Sequence, residues 1–231
     1  EGMAGLALAQ AQRGGAGGGV LAALALQVAG GQQGGELVLR LVQRRQPQVM
    51  VAAVGGALPL RRALRRLGYA AYGWGLGTNL GMRPTVRNAL THRLQKLHAE
   101  HQAPVSLIGW SLGGVFAREM ARHQPQLVRR VFTLGSPIGG RPDANNMLAL
   151  FRIANRGKPV NLDWEGFKKR CTPPPVPVTA IYSKTDGIVA WQCCLETAAA
   201  HTECAEVRGS HFGLVVNRQV LRVIAQRLAT P

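Results

Sequence analysis

A serine hydroxyl is a useful nucleophile only when a base can take its proton and an acid can orient that base. The stretch "IGWSLGGVF", residues 108–116, offers such a serine: Ser111, with Gly109 two places before it and Gly113 and Gly114 just after. It follows a short apolar run, "VSLIG", and opens a segment with helical patterning. A strand–serine–helix corner puts the serine in an unfavourable backbone conformation and lifts its hydroxyl clear of the sheet. Gly109 and Gly113 would remove β-carbons that the tight turn and the neighbouring strand have no room for. The new helix also aims unpaired N–H groups at the corner, where they favour a developing negative charge. With 29 glycines and five serines, chance alone gives roughly 0.1 such patterns, so the strand-then-helix setting carries part of the weight.

The acid and the base must come from elsewhere in the chain. Of the three aspartates, Asp143 and Asp163 fall in an irregular stretch, whereas Asp186 follows an apolar run in "IYSKTDGIV". Of the histidines beyond Ser111, His123 sits near the end of the helix after the serine, facing solvent, and His201 lies in a polar stretch before a strand. His211, in "VRGSHFGL", lies between the last strand and the last helix. Ser111, Asp186 and His211 therefore run in the order Ser, Asp, His, each just past a strand. Taken singly, each suits a turn or a cap; taken together, they suit acyl transfer.

The elements that must position these residues alternate along the chain. "QVMVAAV" predicts a buried strand, ending at Gly55-Gly56. "LPLRRALRRLGY" predicts a helix with Leu60, Leu64 and Leu67 on one face, four arginines on the other and Gly68 as its cap. A strand at "YAAYGW" and an amphipathic helix from Pro84 to about Glu100 follow. Then come a strand at "PVSLIGW", a helix over Leu112–His123, and strands at "RRVFTLGSP", "VPVTAIYS" and "AEVRGS". A single helix from Phe212 to Leu228 closes the chain. This alternation implies an α/β protein: a mostly parallel central sheet with helices on both faces, whose ligands bind at the carboxyl ends of the strands.

At 231 residues the chain suits one domain, residues 36–231. Residues 1–35, dominated by Gly, Ala and Gln, read as a flexible or low-complexity lead. Within it Val20–Ala29 has the length of a signal-peptide apolar region, and a signal remnant, a first helix and a low-complexity lead all stay open. No apolar run approaches the ~18–20 residues that span a bilayer. The net charge is +17, from 28 Lys+Arg against 11 Asp+Glu. Its arginines are scattered rather than interleaved with aromatics, so nucleic acid is not the expected partner. The four cysteines have no metal-ligand spacing, and one bridge from Cys193 or Cys194 to Cys171 or Cys204 stands beside four ordinary thiols.

"GWSLGG", "YSKTDGIVAW" and "GSHFGL" resemble the elbow, acid-loop and histidine-loop patterns of the α/β-hydrolase superfamily, in particular its small bacterial esterase/lipase-like members, over about residues 48–229. "YGWGLGTNLG" resembles a loop of the same relatives. The resemblance implies a serine hydrolase that cleaves carboxylic esters through Ser111, His211 and Asp186, without a metal or other cofactor, in a bacterial cytoplasm or after export. Acyltransferase, lactonase and thioesterase chemistry share the same three side chains; a hydrolase-like binding protein without catalysis is the remaining alternative. The family's oxyanion hole would fall on the backbone N–H groups of Leu112 and of Ala57 or Gly56. Here the first strand ends in "AAVGGALP", without the His-Gly or Pro-Gly step usual in the family. Residues 137–177 stand where the family inserts a lid, and Trp110, Phe151 and Trp164 are the candidate substrate-lining residues. The implied substrate is a small-molecule or lipid ester, and Lys168, Lys169 and Arg170 beside the lid suggest peripheral membrane contact.

Overall fold

The computed structural model describes residues 48–52, 57–76, 84–139 and 171–230. Six strands form one sheet: β1 (Gln48–Ala52), β2 (Ala70–Gly73), β3 (Val105–Trp110), β4 (Val128–Leu134), β5 (Val178–Tyr182) and β6 (Thr202–Glu206). Their order is β2-β1-β3-β4-β5-β6, and every pairing is parallel. The chain steps from β1 outward to β2, then returns past β1 to β3 and continues the other way. That reversal opens a crevice at the carboxyl ends of β1 and β3, the usual ligand site of such sheets.

Among the described residues four α-helices cover the sheet: α1 (Leu58–Arg66), α2 (Pro84–His101), α3 (Leu112–His123) and α4 (Arg218–Ala229). The strands sort their side chains with a period of two, as a pleated strand must. Val49, Ile108 and Phe132 point to one face, where they meet Leu60 and Leu64 of α1 and Val220, Ile224 and Leu228 of α4. Met50, Leu107 and Val131 point to the other, against Leu90, Leu94 and Leu97 of α2 and Phe116 and Met120 of α3. Each buried leucine of this kind contributes roughly 1.5–3 kcal/mol. Leu60 and Leu64 thus hold α1 through a stripe one turn apart, and Gly68, at φ 88°, ends it. β3 is buried along its whole length, as a central parallel strand with helices on both sides should be.

Two elements differ from the sequence expectation. The last strand is Thr202–Glu206, "TECAE", not "AEVRGS". It is the sheet's edge, half exposed, and its polar composition hides it from a search for apolar runs. The closing helix is broken in two: a 3-10 turn, Phe212–Val216, precedes α4. Asn217 makes the break. It is extended, at φ −74° and ψ 126°, and its side chain accepts from the amides of Gln219 and Val220 to cap α4.

All four cysteines are thiols. Among the described residues no helix is long and apolar enough to cross a membrane. Residues 1–47, Gly55, Gly56, Asp143, Phe151, Asp163, Trp164 and Lys168–Arg170 lie outside the described residues, as does residues 140–170 of the expected lid.

Candidate active site

Ser111 is the residue between β3 and α3, with φ 55° and ψ −128°. Such a backbone costs a non-glycine residue on the order of 1–3 kcal/mol and persists only where the surroundings enforce it. Here they do. Its N–H donates to the carbonyl of Leu134 at the end of β4, at 2.9 Å, and its carbonyl accepts from Gly114 at 3.0 Å. A β-carbon on Gly109 would overlap the Gly113 carbonyl and Gly114 Cα, and one on Gly114 would overlap the Ser136 hydroxyl. The glycines therefore let α3 turn directly back against β3 and β4. Serine is a favoured helix cap, yet the Ser111 side chain makes no cap bond to α3. Its hydroxyl is left for other work, at a helix end whose first N–H groups have no intrahelical acceptor. Leu112, buried at 5% exposure, supplies the first of these.

Asp186 and His211 meet. The His211 Nδ1 lies 2.8 Å from Oδ2 and 3.0 Å from Oδ1 of the aspartate, and both side chains are almost wholly buried. Backbone bonds fix the two loops to one another: the His211 N–H donates to the Asp186 carbonyl at 3.0 Å. Oδ1 of Asp186 also accepts from the amides of Ile188 (3.0 Å) and Val189 (2.7 Å), which locks the carboxylate plane. With Nδ1 facing a carboxylate, the imidazole keeps its proton there and offers Nε2 as the basic nitrogen.

The corner around Ser111 joins this pair through two contacts. Gly135 follows Leu134, the residue that holds the Ser111 amide; a β-carbon on Gly135 would stand 2.7 Å from Asp186 Oδ2 and 3.2 Å from His211 Nδ1. Trp110, which precedes Ser111, donates its indole N–H to the His211 carbonyl at 3.0 Å. Its ring packs against the imidazole with centroids 5.3 Å apart, and Phe212 closes on both rings. Trp110 is itself 5% exposed, so its main contacts are with the histidine loop and the core. Ala57 is the cap residue of α1, its carbonyl accepting from Arg61.

The other histidines stand apart from this arrangement. His123 is more than half exposed, 3.8 Å from Glu119 on its own helix. His201 is exposed, with Nε2 on the Pro174 carbonyl. Cys194 is buried not far from Asp186; burial first, and the aspartate's charge second, push its thiol well up, so it stays protonated and unreactive. Among the described residues no group of three His, Cys, Asp or Glu is arranged to hold a metal.

Solved structures share this architecture. A lipase of Bacillus licheniformis, BlEst2 in its mature form, superposes with a TM-score of 0.62 at 15% identity, over 81% of this chain and 94% of its own. A lipase-esterase related protein of Clostridium acetobutylicum gives 0.58 at 17%, over 79% and 95%. The thioesterase domain from a curacin biosynthetic pathway gives 0.53 at 14%, over 80% and 91%. This chain has the α/β-hydrolase fold. No family model matches the sequence, and no curated protein matches it either.

In this hydrolase fold a buried ion pair ties α3 to the segment after the Asp186 loop, and it was not found from the sequence. Arg118 of α3 lies on the same helix as the Ser111 corner, and Glu196 lies in the segment after the Asp186 loop. Nε of Arg118 donates to Oε2 at 2.8 Å and Nη2 to Oε1 at 2.7 Å. The pair is 1–2% exposed. Arg118 also donates to the carbonyls of Ile138, Cys171 and Thr172. Burial is the largest influence on both groups, pushing the Glu196 carboxyl up and the Arg118 guanidinium down, against their mutual attraction. The forked geometry satisfies both carboxylate oxygens, which is what lets two charges sit in the interior.

Proposed function

We propose that this protein is a serine hydrolase that cleaves carboxylic esters through Ser111, His211 and Asp186. The observation that carries the reading is the buried Asp186–His211 pair, bonded through Nδ1, beside a strained and uncapped Ser111 at the strand-to-helix corner. The lipase and esterase among the structural neighbours support the ester class.

His211 Nε2 takes the Ser111 proton as Oγ attacks the ester carbonyl. Asp186 holds the ring and stabilises the imidazolium that forms. The carbonyl oxygen becomes an oxyanion that accepts from the backbone amides of Leu112 and Ala57; such a donor is typically worth about 10²–10³ in rate. The tetrahedral intermediate expels the alcohol oxygen, which leaves with the proton from His211. Water then gives a proton to His211 and attacks the acyl-serine, and the acid departs as Ser111 recovers its hydrogen.

Hydrolysis of p-nitrophenyl acetate and butyrate by the wild type and by Ser111→Ala tests this. Turnover in the wild type that falls to background in a folded Ser111→Ala variant is the expected result; turnover retained in Ser111→Ala refutes the assignment. The thioesterase neighbour favours a second reading, acyl-thioester hydrolysis by the same three side chains. A parallel assay on an acyl-thioester separates the two by their kcat/KM ratio.

A further inference from the structure

Every charged side chain on α1 and α4 is an arginine, and of these Arg227 is paired with Glu203 of β6. α1 contributes four arginines and α4 three, and neither helix contains an aspartate or glutamate. Arg62, Arg66, Arg218 and Arg222 are exposed. α1 packs against both α4 and the 3-10 turn Phe212–Val216, so the three form one surface. At the end of that surface nearest the active site, large apolar side chains face outward: Phe212 is 67% exposed, Val216 63% and Leu58 41%. Phe212 follows His211 directly, and Leu58 follows Ala57.

Exposed apolar side chains gathered beside cations, with no carboxylate on either helix, match one kind of surface closely. A neutral apolar protein groove has no use for the arginines. A nucleic acid backbone has no use for Val216 and Leu58. A bilayer with anionic headgroups uses both: the apolar side chains enter at the boundary between headgroups and acyl chains, and guanidinium groups bind phosphates in forked pairs.

We propose that the α1–α4 face docks on an anionic lipid surface, with Leu58, Phe212 and Val216 seated at the acyl boundary and Arg62, Arg66, Arg218 and Arg222 on lipid phosphates. Docking in this way brings Leu58 and Phe212, the chain neighbours of Ala57 and His211, against the lipid, so that an ester-bearing lipid has a short path to the site. That consequence rests on the ester-hydrolase reading; the docking itself does not.

The test is co-sedimentation of the full chain carrying Ser111→Ala with vesicles of phosphatidylcholine alone and of phosphatidylcholine mixed with phosphatidylglycerol. The mixed vesicles bind the protein roughly tenfold or more strongly, and the advantage shrinks as salt rises. Replacing all four arginines, Arg62→Gln, Arg66→Gln, Arg218→Gln and Arg222→Gln, removes that advantage. On the Ser111 background the same four changes leave the rate on soluble p-nitrophenyl acetate unaltered. Should the fourfold variant fail to fold, the pair Arg62→Gln and Arg222→Gln gives the same comparison with a smaller loss. Val216→Ser weakens binding that persists at high salt, where charge is screened.

Equal binding to the two kinds of vesicle, or binding indifferent to the arginines, overturns the proposal. Tighter binding to a DNA duplex than to the mixed vesicles, unaffected by Val216→Ser, assigns the face to nucleic acid instead. Vesicle binding without any esterase activity in the wild type would sink the ester reading and leave the docking intact.

Discussion

Oδ1 of Asp186 serves three partners: it lies 3.0 Å from Nδ1 of His211 and accepts the amides of Ile188 and Val189, while Oδ2 lies 2.8 Å from the same Nδ1. The two amides fix the carboxylate, and both of its oxygens lie within hydrogen-bond distance of the imidazole. Asp186→Asn keeps an oxygen for the two amides but turns an NH2 toward Nδ1, which then has to be unprotonated. The imidazole takes the wrong tautomer, and kcat falls about 10⁴-fold with the fold retained. Steady-state kinetics and a thermal melt on the same sample check both halves.

Gly135 is a steric prediction. At φ 52° it already disfavours a side chain, and a β-carbon there would meet Asp186 Oδ2 at 2.7 Å and Leu214 Cδ1 at 2.8 Å. Gly135→Ala pushes the carboxylate off the imidazole. Displacements of this size in a catalytic array cost on the order of 10²-fold in rate. The kcat loss should exceed anything a melting-temperature change explains, whereas unchanged kcat would mean that the Asp186 contact does not matter.

Glu196 neutralises Arg118 in the interior. Glu196→Ala leaves a buried guanidinium without its counter-charge, and breaking a buried pair from one side costs about 3–5 kcal/mol. Urea unfolding should show the midpoint falling at an unchanged slope, so that the unfolding free energy drops by that amount. A loss below about 1 kcal/mol would place the pair among those of surface strength.

Glu203 gives the acid limb of stability a definite sign. Its bonds from Arg227, at 2.7 and 3.0 Å, hold its carboxyl below the ordinary value near 4.5; the Thr179 hydroxyl adds to this and partial burial opposes it. A folded-state value below the unfolded one means that its stabilisation is present above the unfolded value. It is lost as pH falls through the folded value. Glu203 and Arg227 are each 38% exposed, so the effect stays under about 1 kcal/mol. In Glu203→Gln the urea midpoint should fall less steeply between neutral pH and the acid transition than in the wild type.

How much of this was legible in the sequence varies with the range of the physics involved. The Ser111 corner was legible because its cause is local: Gly109 stands where a β-carbon has no room, though the crowding at Gly114, against Ser136, was not read. Asp186 was placed by the apolar run of β5, which ends four residues before it; His211 was placed just past "AEVRGS", whereas β6 ends at Glu206, five residues before it. The Arg118–Glu196 pair was not, since its partners lie 78 residues apart and no spacing announces them. The Asn217 break was missed although asparagine is a common helix cap, because the apolar pattern runs on through Val215 and Val216. β6 was set too late because an exposed edge strand does not need an apolar run.

The central claim is that Ser111 is a nucleophile activated by His211. Intact protein treated with a fluorophosphonate, followed by peptide mass spectrometry, tests it most directly. The account predicts a single adduct on Ser111, absent from Ser111→Ala and slowed at least about 10³-fold in His211→Ala. An unlabelled wild type, or an adduct that survives in Ser111→Ala, would contradict it.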